Sequence, residues 1–123
     1  MWQDSTWSVL YRQEDDGEMR LVAACERPDG AMEVEERSDG ELTALTYGTM
    51  TCVRKTIIQK DAVEAMLWAL GPCEGDAMAA LQKFYEKDVR FLSDLQDVLD
   101  AGGVPYTFSI ACGNDYALRR VCG

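Results

Sequence analysis

Hydrophobic and polar residues alternate with a period of two through much of the first half of the chain, which predicts β-strands. Asp-Gly pairs separate the alternating stretches, and they favour tight hairpin turns because both residues tolerate positive φ. Short strands joined by such turns are typical of an antiparallel meander. The pattern predicts strands around Trp7–Arg12, Met19–Cys25, Ala31–Glu36 and Leu45–Thr49, with turns at Asp16-Gly17, Asp29-Gly30 and Asp39-Gly40.

The period then changes to that of a helix. Thr56 and Gln59 have the spacing of a capping box, in which side chains satisfy backbone N–H groups at a helix start. Gly71-Pro72 is a typical helix stop, because glycine adopts the left-handed cap and proline cannot continue the helix. We therefore expect a first helix between these two signals.

A second apolar stripe begins near Asp76, a favourable N-cap residue, and ends before Gly102-Gly103. The continuity of the stripe favours one helix with a bend. The alternative is a restart at Ser93, which has capping-box spacing to Gln96.

Strict alternation returns near the C-terminus and predicts a final hairpin. Its turn is Gly113–Asp115, and Tyr116–Val121 forms the returning strand. In this register Cys112 lies near Tyr116 and far from Cys122, so no disulfide is expected between these two cysteines. The alternating residues of the first strand are Val104, Tyr106, Phe108 and Ile110.

Together the elements predict a single α+β domain over residues 1–123. An antiparallel sheet of about six strands, in the chain order ββββααββ, would pack both helices on one face. No motif in the chain identifies a family.

Composition narrows the function classes. The 123 residues contain no histidine and carry a formal net charge of −10. Imidazole serves most general acid–base schemes and many metal sites, so we expect neither a catalytic centre nor a metal or other cofactor. An acidic surface repels nucleic acids and anionic membranes, so we expect neither as a partner.

Five cysteines are present, an odd number without a close pair. Disulfide frameworks and zinc sites usually show paired cysteines, so we expect free, buried thiols and a cytoplasmic location. Cys52 is the single candidate for a reactive thiol, because Arg54-Lys55 follows two residues later.

The first functional hypothesis is a non-enzymatic acidic module that binds a basic protein, as an antagonist or immunity-type inhibitor does. Charge complementarity would speed its association and suppress wrong partners. The predicted contact residues are the carboxylates Glu33, Glu35, Glu36, Asp94 and Asp97.

The alternative hypothesis is a domain that binds a small ligand in an apolar pocket between the sheet and the helices. Four aromatic residues, Trp7, Tyr47, Trp68 and Tyr106, would line this pocket. A homo-oligomer is a further alternative, since six methionines and eleven aromatic residues could supply an apolar interface.

Overall fold

A computed structural model describes residues 7–71, 75–86 and 91–112, and the backbone of residues 119–122. The strands are β1 (Trp7–Asp15), β2 (Glu18–Glu26), β3 (Met32–Asp39), β4 (Thr51–Ile58), β5 (Thr107–Cys112) and β6 (Arg119–Cys122). The helices are α1 (Glu41–Tyr47), α2 (Lys60–Leu70), α3 (Ala77–Glu86) and α4 (Leu92–Ala101). The predicted α+β class is confirmed, while the order of the elements along the chain differs from ββββααββ.

The sheet is an antiparallel meander in which each strand pairs with its neighbour in the sequence, in the order β1-β2-β3-β4-β5-β6. Asp-Gly turns join β1 to β2 and β2 to β3, as the sequence predicts. Helix α1 lies between β3 and β4, and the other three helices lie between β4 and β5. We call the side of the sheet on which α2, α3 and α4 pack the helix-covered face.

The core lies between the helix-covered face and these three helices. Because side chains alternate along a strand, the core receives every second residue of β2, β3 and β4. The buried cluster consists of Val22, Ala24, Met32, Val34, Ile58, Ala62, Met66, Leu81, Tyr85, Leu92, Leu95, Leu99 and Val104. Three helices complete this core, whereas the sequence predicts two.

The predicted fourth strand around Leu45–Thr49 is wrong, because these residues belong to α1 and the loop that follows it. Gly48 ends α1 in the left-handed conformation, and its N–H donates to the carbonyl of Ala44. At the other end, Glu18 accepts from the backbone N–H of Leu42 at 2.9 Å and from the hydroxyl of Thr43. A carboxylate from β2 thus caps α1 across a long separation in sequence.

The predicted capping box of Thr56 and Gln59 is also wrong. Thr56 lies in β4 and is fully buried, and its hydroxyl accepts a hydrogen bond from the Gln96 amide at 2.8 Å. Gln59 is itself the N-cap of α2, without a side-chain cap. β-Branched residues extend through Ile58, and they favour the strand over an earlier helix start.

The predicted single bent helix is replaced by α3 and α4. Phe91 has an extended backbone and is the N-cap of α4. Its N–H donates to the Asp94 carboxylate at 2.6 Å, while its carbonyl accepts from the Asp94 N–H at 3.0 Å. A new helix therefore starts near Ser93, as in the predicted alternative. Asp94, rather than the predicted Gln96, supplies the side chain of the capping box.

The expectation of free thiols is wrong for one pair of cysteines. Cys52 and Cys112 lie opposite each other on β4 and β5 and are joined by a disulfide. This removes part of the argument for a reducing, cytoplasmic location. Cys25 is buried in β2, and Cys122 pairs with Thr107 in the β5–β6 register, well away from Cys112.

Cys73 and the turn at Gly113–Asp115 lie outside the described residues, as do residues 87–90 and 116–118. No helix within the described ranges combines the length and the apolar character needed to cross a membrane.

Candidate functional site

A buried carboxylate stands at the centre of the site. Glu36 lies on the helix-covered face of β3, and 2% of its side chain is exposed. Its two oxygens accept from Arg20 at 3.1 Å, from Arg54, and from the backbone N–H of Leu92 at 2.9 Å. Arg54 is directly opposite Glu36 in the β3–β4 register, whereas Arg20 approaches from β2. Three donors hold this carboxylate, which a buried charge requires.

Arg20 is held on several sides at once. Its guanidinium lies 4.9 Å from the ring centre of Tyr11 and 3.9 Å from that of Phe91. It also donates to Gln13 at 3.5 Å. Cation–π contacts of this kind strengthen as water is excluded. Arg20 therefore fixes Glu36 and the start of α4 as one unit.

Two guanidiniums share the Glu36 carboxylate, and the charge of Asp94, which caps α4, also acts on Arg20. Burial lowers the pKa of Arg20 and of Arg54, and in Arg54 the neighbouring charge of Arg20 lowers it further. Guanidinium nevertheless remains charged in proteins. The cluster therefore joins two cations to Glu36 and to the Asp94 carboxylate at the start of α4.

This cluster borders an open pocket of about 620 Å³. We call Arg20, Glu36, Ser38 and Arg54 its floor; Gln13, Asp15 and Glu18 line the pocket from the same face of the sheet. Of the two arginines, Arg54 is the more accessible, with 24% of its side chain exposed against 9% for Arg20. Across residues 7–71, 75–86 and 91–112, Glu36 is the ion-pair partner found for Arg54. Arg54 therefore keeps donors for a ligand, since guanidinium has five N–H groups.

Helix α1 forms the apolar wall of the pocket. Leu42 and Leu45 project from it with 63% and 83% of their surface exposed, and Tyr47 lies beside them. Phe91 completes the apolar lining from the start of α4. Glu18 fixes this wall, because it caps α1 from β2.

Exposed carboxylates also line the pocket. Asp15 is the last residue of β1, Asp16 lies in the turn that follows, and Glu41 is the first residue of α1. We call these three residues the mouth. The pocket thus combines two buried arginines paired with Glu36, an apolar wall and the exposed carboxylates of the mouth.

The five carboxylates predicted for partner binding do not form one surface. Glu36 is buried in the floor. Glu33 and Glu35 point to the opposite face of the sheet, where Lys55 lies 3.0 Å and 3.8 Å from them. Asp94 caps α4, and Asp97 is an exposed residue of the same helix.

The four aromatic residues predicted to line a pocket also separate. Tyr47 does line the pocket. Trp7 pairs with Cys25, at the other end of β1 from the pocket. Trp68 is 81% exposed on α2, and Tyr106 packs against the core, where burial and then a hydrogen bond to Asp100 raise its pKa.

Sequence reasoning missed Arg20 and Arg54, the two residues that define the floor. A signal for them exists in the alternation itself. Arg20 is in phase with Val22 and Ala24, and Arg54 is in phase with Thr56 and Ile58. A charged residue in phase with a buried face indicates either an ion pair or a site.

The described residues contain no group of three or more cysteine, aspartate or glutamate side chains placed to hold a metal ion. Comparison of the chain with known protein families, curated proteins and solved structures finds no match. The function therefore has to be argued from the geometry of the site.

Proposed function

We propose that the protein is a small-ligand-binding domain and that the pocket beside α1 is its binding site. The observation that carries this proposal is Arg54, a partly buried guanidinium that opens into a cavity and shares the Glu36 carboxylate with Arg20. A cavity of about 620 Å³ is within the usual range for small-molecule sites.

The lining combines apolar and polar groups. Leu42, Leu45, Tyr47 and Phe91 supply its apolar surface, and polar groups converge at the floor, where they would fix the orientation of a ligand. The floor is rigid, because Arg20, Glu36 and the N–H of Leu92 hold one another. A preorganised polar group binds a ligand with less loss of conformational freedom than a mobile one.

The test is a ligand-observed NMR screen of a chemically diverse small-molecule collection against the wild type and two variants with a filled pocket. Ser38→Phe fills the floor, and Thr46→Trp fills the side that α1 contributes. Thr107→Phe is the matched control, because it places the same ring on the opposite face of the sheet.

We expect compounds that bind the wild type and Thr107→Phe but neither filled variant. If no compound binds the wild type, or if the compounds bind all four proteins equally, the pocket is not a ligand site.

The net charge of −10 supports a second proposal, binding of a basic protein. The acidic surface would then centre on the mouth residues Asp15, Asp16 and Glu41 rather than on the predicted set. A pull-down washed at low and then high salt tests it, because surface ion pairs are screened by salt. A basic protein released by high salt would support this proposal, and retention that ignores salt would contradict it.

A further inference from the structure

We infer that the ligand of this pocket is an amphiphilic cation, a molecule with one ammonium group that lies at the mouth and an apolar body that lies against α1. This inference rests on the proposed function and specifies the chemistry of its ligand.

The first step is the apolar wall, which requires an apolar body. Six large hydrophobic residues of the described chain are exposed, and three of them, Leu42, Leu45 and Phe91, line this one pocket. Exposed apolar side chains that are rimmed by polar residues mark a binding surface. A small inorganic cation would leave them in water. A ligand with an apolar body covers them, which adds a favourable hydrophobic contribution to binding.

The second step is the charge that the lining can still accept. Five carboxylates and two guanidiniums line the pocket. Both guanidiniums belong to the floor and pair with Glu36, and Glu18 is engaged as the cap of α1. The other three carboxylates are those of the mouth, and no ion pair or side-chain hydrogen bond engages them within the described part of the chain. A cation therefore complements this lining, and an anion does not.

The third step is the position of the mouth. The β1–β2 turn is in contact with the residue that precedes α1, because a Cβ added to Gly40 would lie 2.7 Å from the carbonyl oxygen of Gly17. The three mouth residues therefore gather at one end of the sheet. Arg20 lies two residues, about 7 Å, beyond the start of β2. An ammonium group at the mouth can thus contact these carboxylates without lying against the paired arginines of the floor.

The test uses three probes. Octylammonium is the amphiphilic cation, octanoate has a similar chain with the opposite charge, and butylammonium has the same charge with a shorter chain. Isothermal titration calorimetry on the full chain measures each dissociation constant at about 0.15 M salt, where charges more than about 8 Å apart are largely screened.

We expect octylammonium to bind at least about tenfold more tightly than octanoate, because each carboxylate about 4 Å from the ammonium contributes about fivefold even in water. It should also bind at least about tenfold more tightly than butylammonium, because four additional CH₂ groups leave water. These comparisons need no variant, so they do not depend on whether a substituted chain folds.

Two matched double variants then locate the charge preference. Asp15→Asn with Glu41→Gln neutralises two mouth carboxylates and should weaken octylammonium by about tenfold without weakening octanoate. Asp61→Asn with Glu64→Gln makes the same change on exposed residues of α2, outside the pocket, and should change the affinity by less than about twofold. An equal loss in both would attribute the preference to the net charge of −10 and overturn the inference.

The outcomes separate this inference from the proposed function. Octanoate binding as tightly as octylammonium would overturn the cation, and butylammonium binding as tightly would overturn the apolar body. Either result leaves the pocket standing as a ligand site. If none of the three probes binds, the inference is also overturned, and the screen with filled variants decides the proposed function independently.

Discussion

Strand β3 places carboxylates on both faces of the sheet, and different groups pair with them on the two faces. On the helix-covered face, Glu36 is held by two arginines and a backbone N–H. On the opposite face, Glu33 and Glu35 share Lys55, and Arg27 lies 3.8 Å from Glu33. On the first face two arginines share one fully buried carboxylate, whereas on the second three cations act on two carboxylates: Lys55, Arg27 and Arg37 on Glu33 and Glu35.

The difference shows what distinguishes a site from a structural ion-pair network. The network on the opposite face reaches solvent, with 35% of the Lys55 side chain and 43% of the Arg27 side chain exposed. The cluster around Glu36 is more deeply buried and opens into a cavity. A buried, preorganised charge beside a cavity is a better indication of binding than the number of charged residues on a surface.

The strongest test of this comparison neutralises one carboxylate on each face of the sheet. Glu36→Gln leaves two guanidiniums without a buried counter-charge, so we expect a loss of about 3–5 kcal/mol in the free energy of unfolding. Glu35→Gln is the control on the same strand and should change stability by less than about 1 kcal/mol. Urea denaturation measures both, and equal losses would show that the two faces are equivalent.

Removal of the disulfide should have the next largest effect on stability. The disulfide lies on the helix-covered face, as Arg54 does. Cys52 and Cys112 are 60 residues apart, so their bond restricts a long loop in the unfolded chain. We expect Cys52→Ala with Cys112→Ala to lose about 2–4 kcal/mol. A reductant should lower the stability of the wild type and leave that of the double variant unchanged. An unaffected wild type would mean that the bond does not contribute.

Removal of an aromatic ring that contacts Arg20 should have a smaller effect on stability. Phe91→Leu removes the ring 3.9 Å from the guanidinium. Because Phe91 is partly exposed, we expect a loss of about 0.5–1 kcal/mol in unfolding experiments. Trp68→Leu removes a larger ring that is 81% exposed, and it should cost less than about 0.5 kcal/mol. A larger loss at Trp68 would contradict the importance assigned to Phe91.

The smallest expected effect concerns Glu35. Burial raises its pKa; Lys55 opposes this shift and Glu33 adds to it. The folded chain therefore binds this proton more tightly than the unfolded chain, whose glutamate pKa is about 4.3. The resulting stability is complete below that pH and is lost as the pH rises through the raised folded pKa.

Glu35→Gln removes this dependence. The stability of the wild type relative to Glu35→Gln should fall between about pH 4 and neutral pH, by less than about 1 kcal/mol because the residue is only partly buried. Urea denaturation at several pH values measures the difference. A difference that grows with pH would show that Lys55 outweighs burial.

Local patterns were sufficient for the first three strands. Alternation and Asp-Gly turns depend on neighbouring residues, so they locate β1, β2 and β3 from sequence alone. Helix α1 depends on Glu18, which caps it from another element, and its threonines lower its helix propensity. No local pattern contains that contact, so the segment resembled a strand.

The site was harder to predict for a related reason. Glu36 appeared among the predicted acidic surface residues because a run of glutamates usually faces solvent. Its burial follows from Arg20 and Arg54 on the two neighbouring strands, and only the register brings the three together. The pocket further requires α1. Because the sequence pattern predicted a strand around Leu45–Thr49 instead of this helix, it could not locate the pocket.

The meander has a consequence for how the chain folds. Strands β1 to β4 can associate through short connections, whereas β5 reaches β4 only after the insertion spanning residues 59–106 has closed. Closure of a long loop slows the formation of non-local contacts. We therefore expect β1 to β4 to associate early and β5 to dock in the rate-limiting step. Only then would Cys112 reach Cys52, so oxidation of this pair would mark a completed sheet.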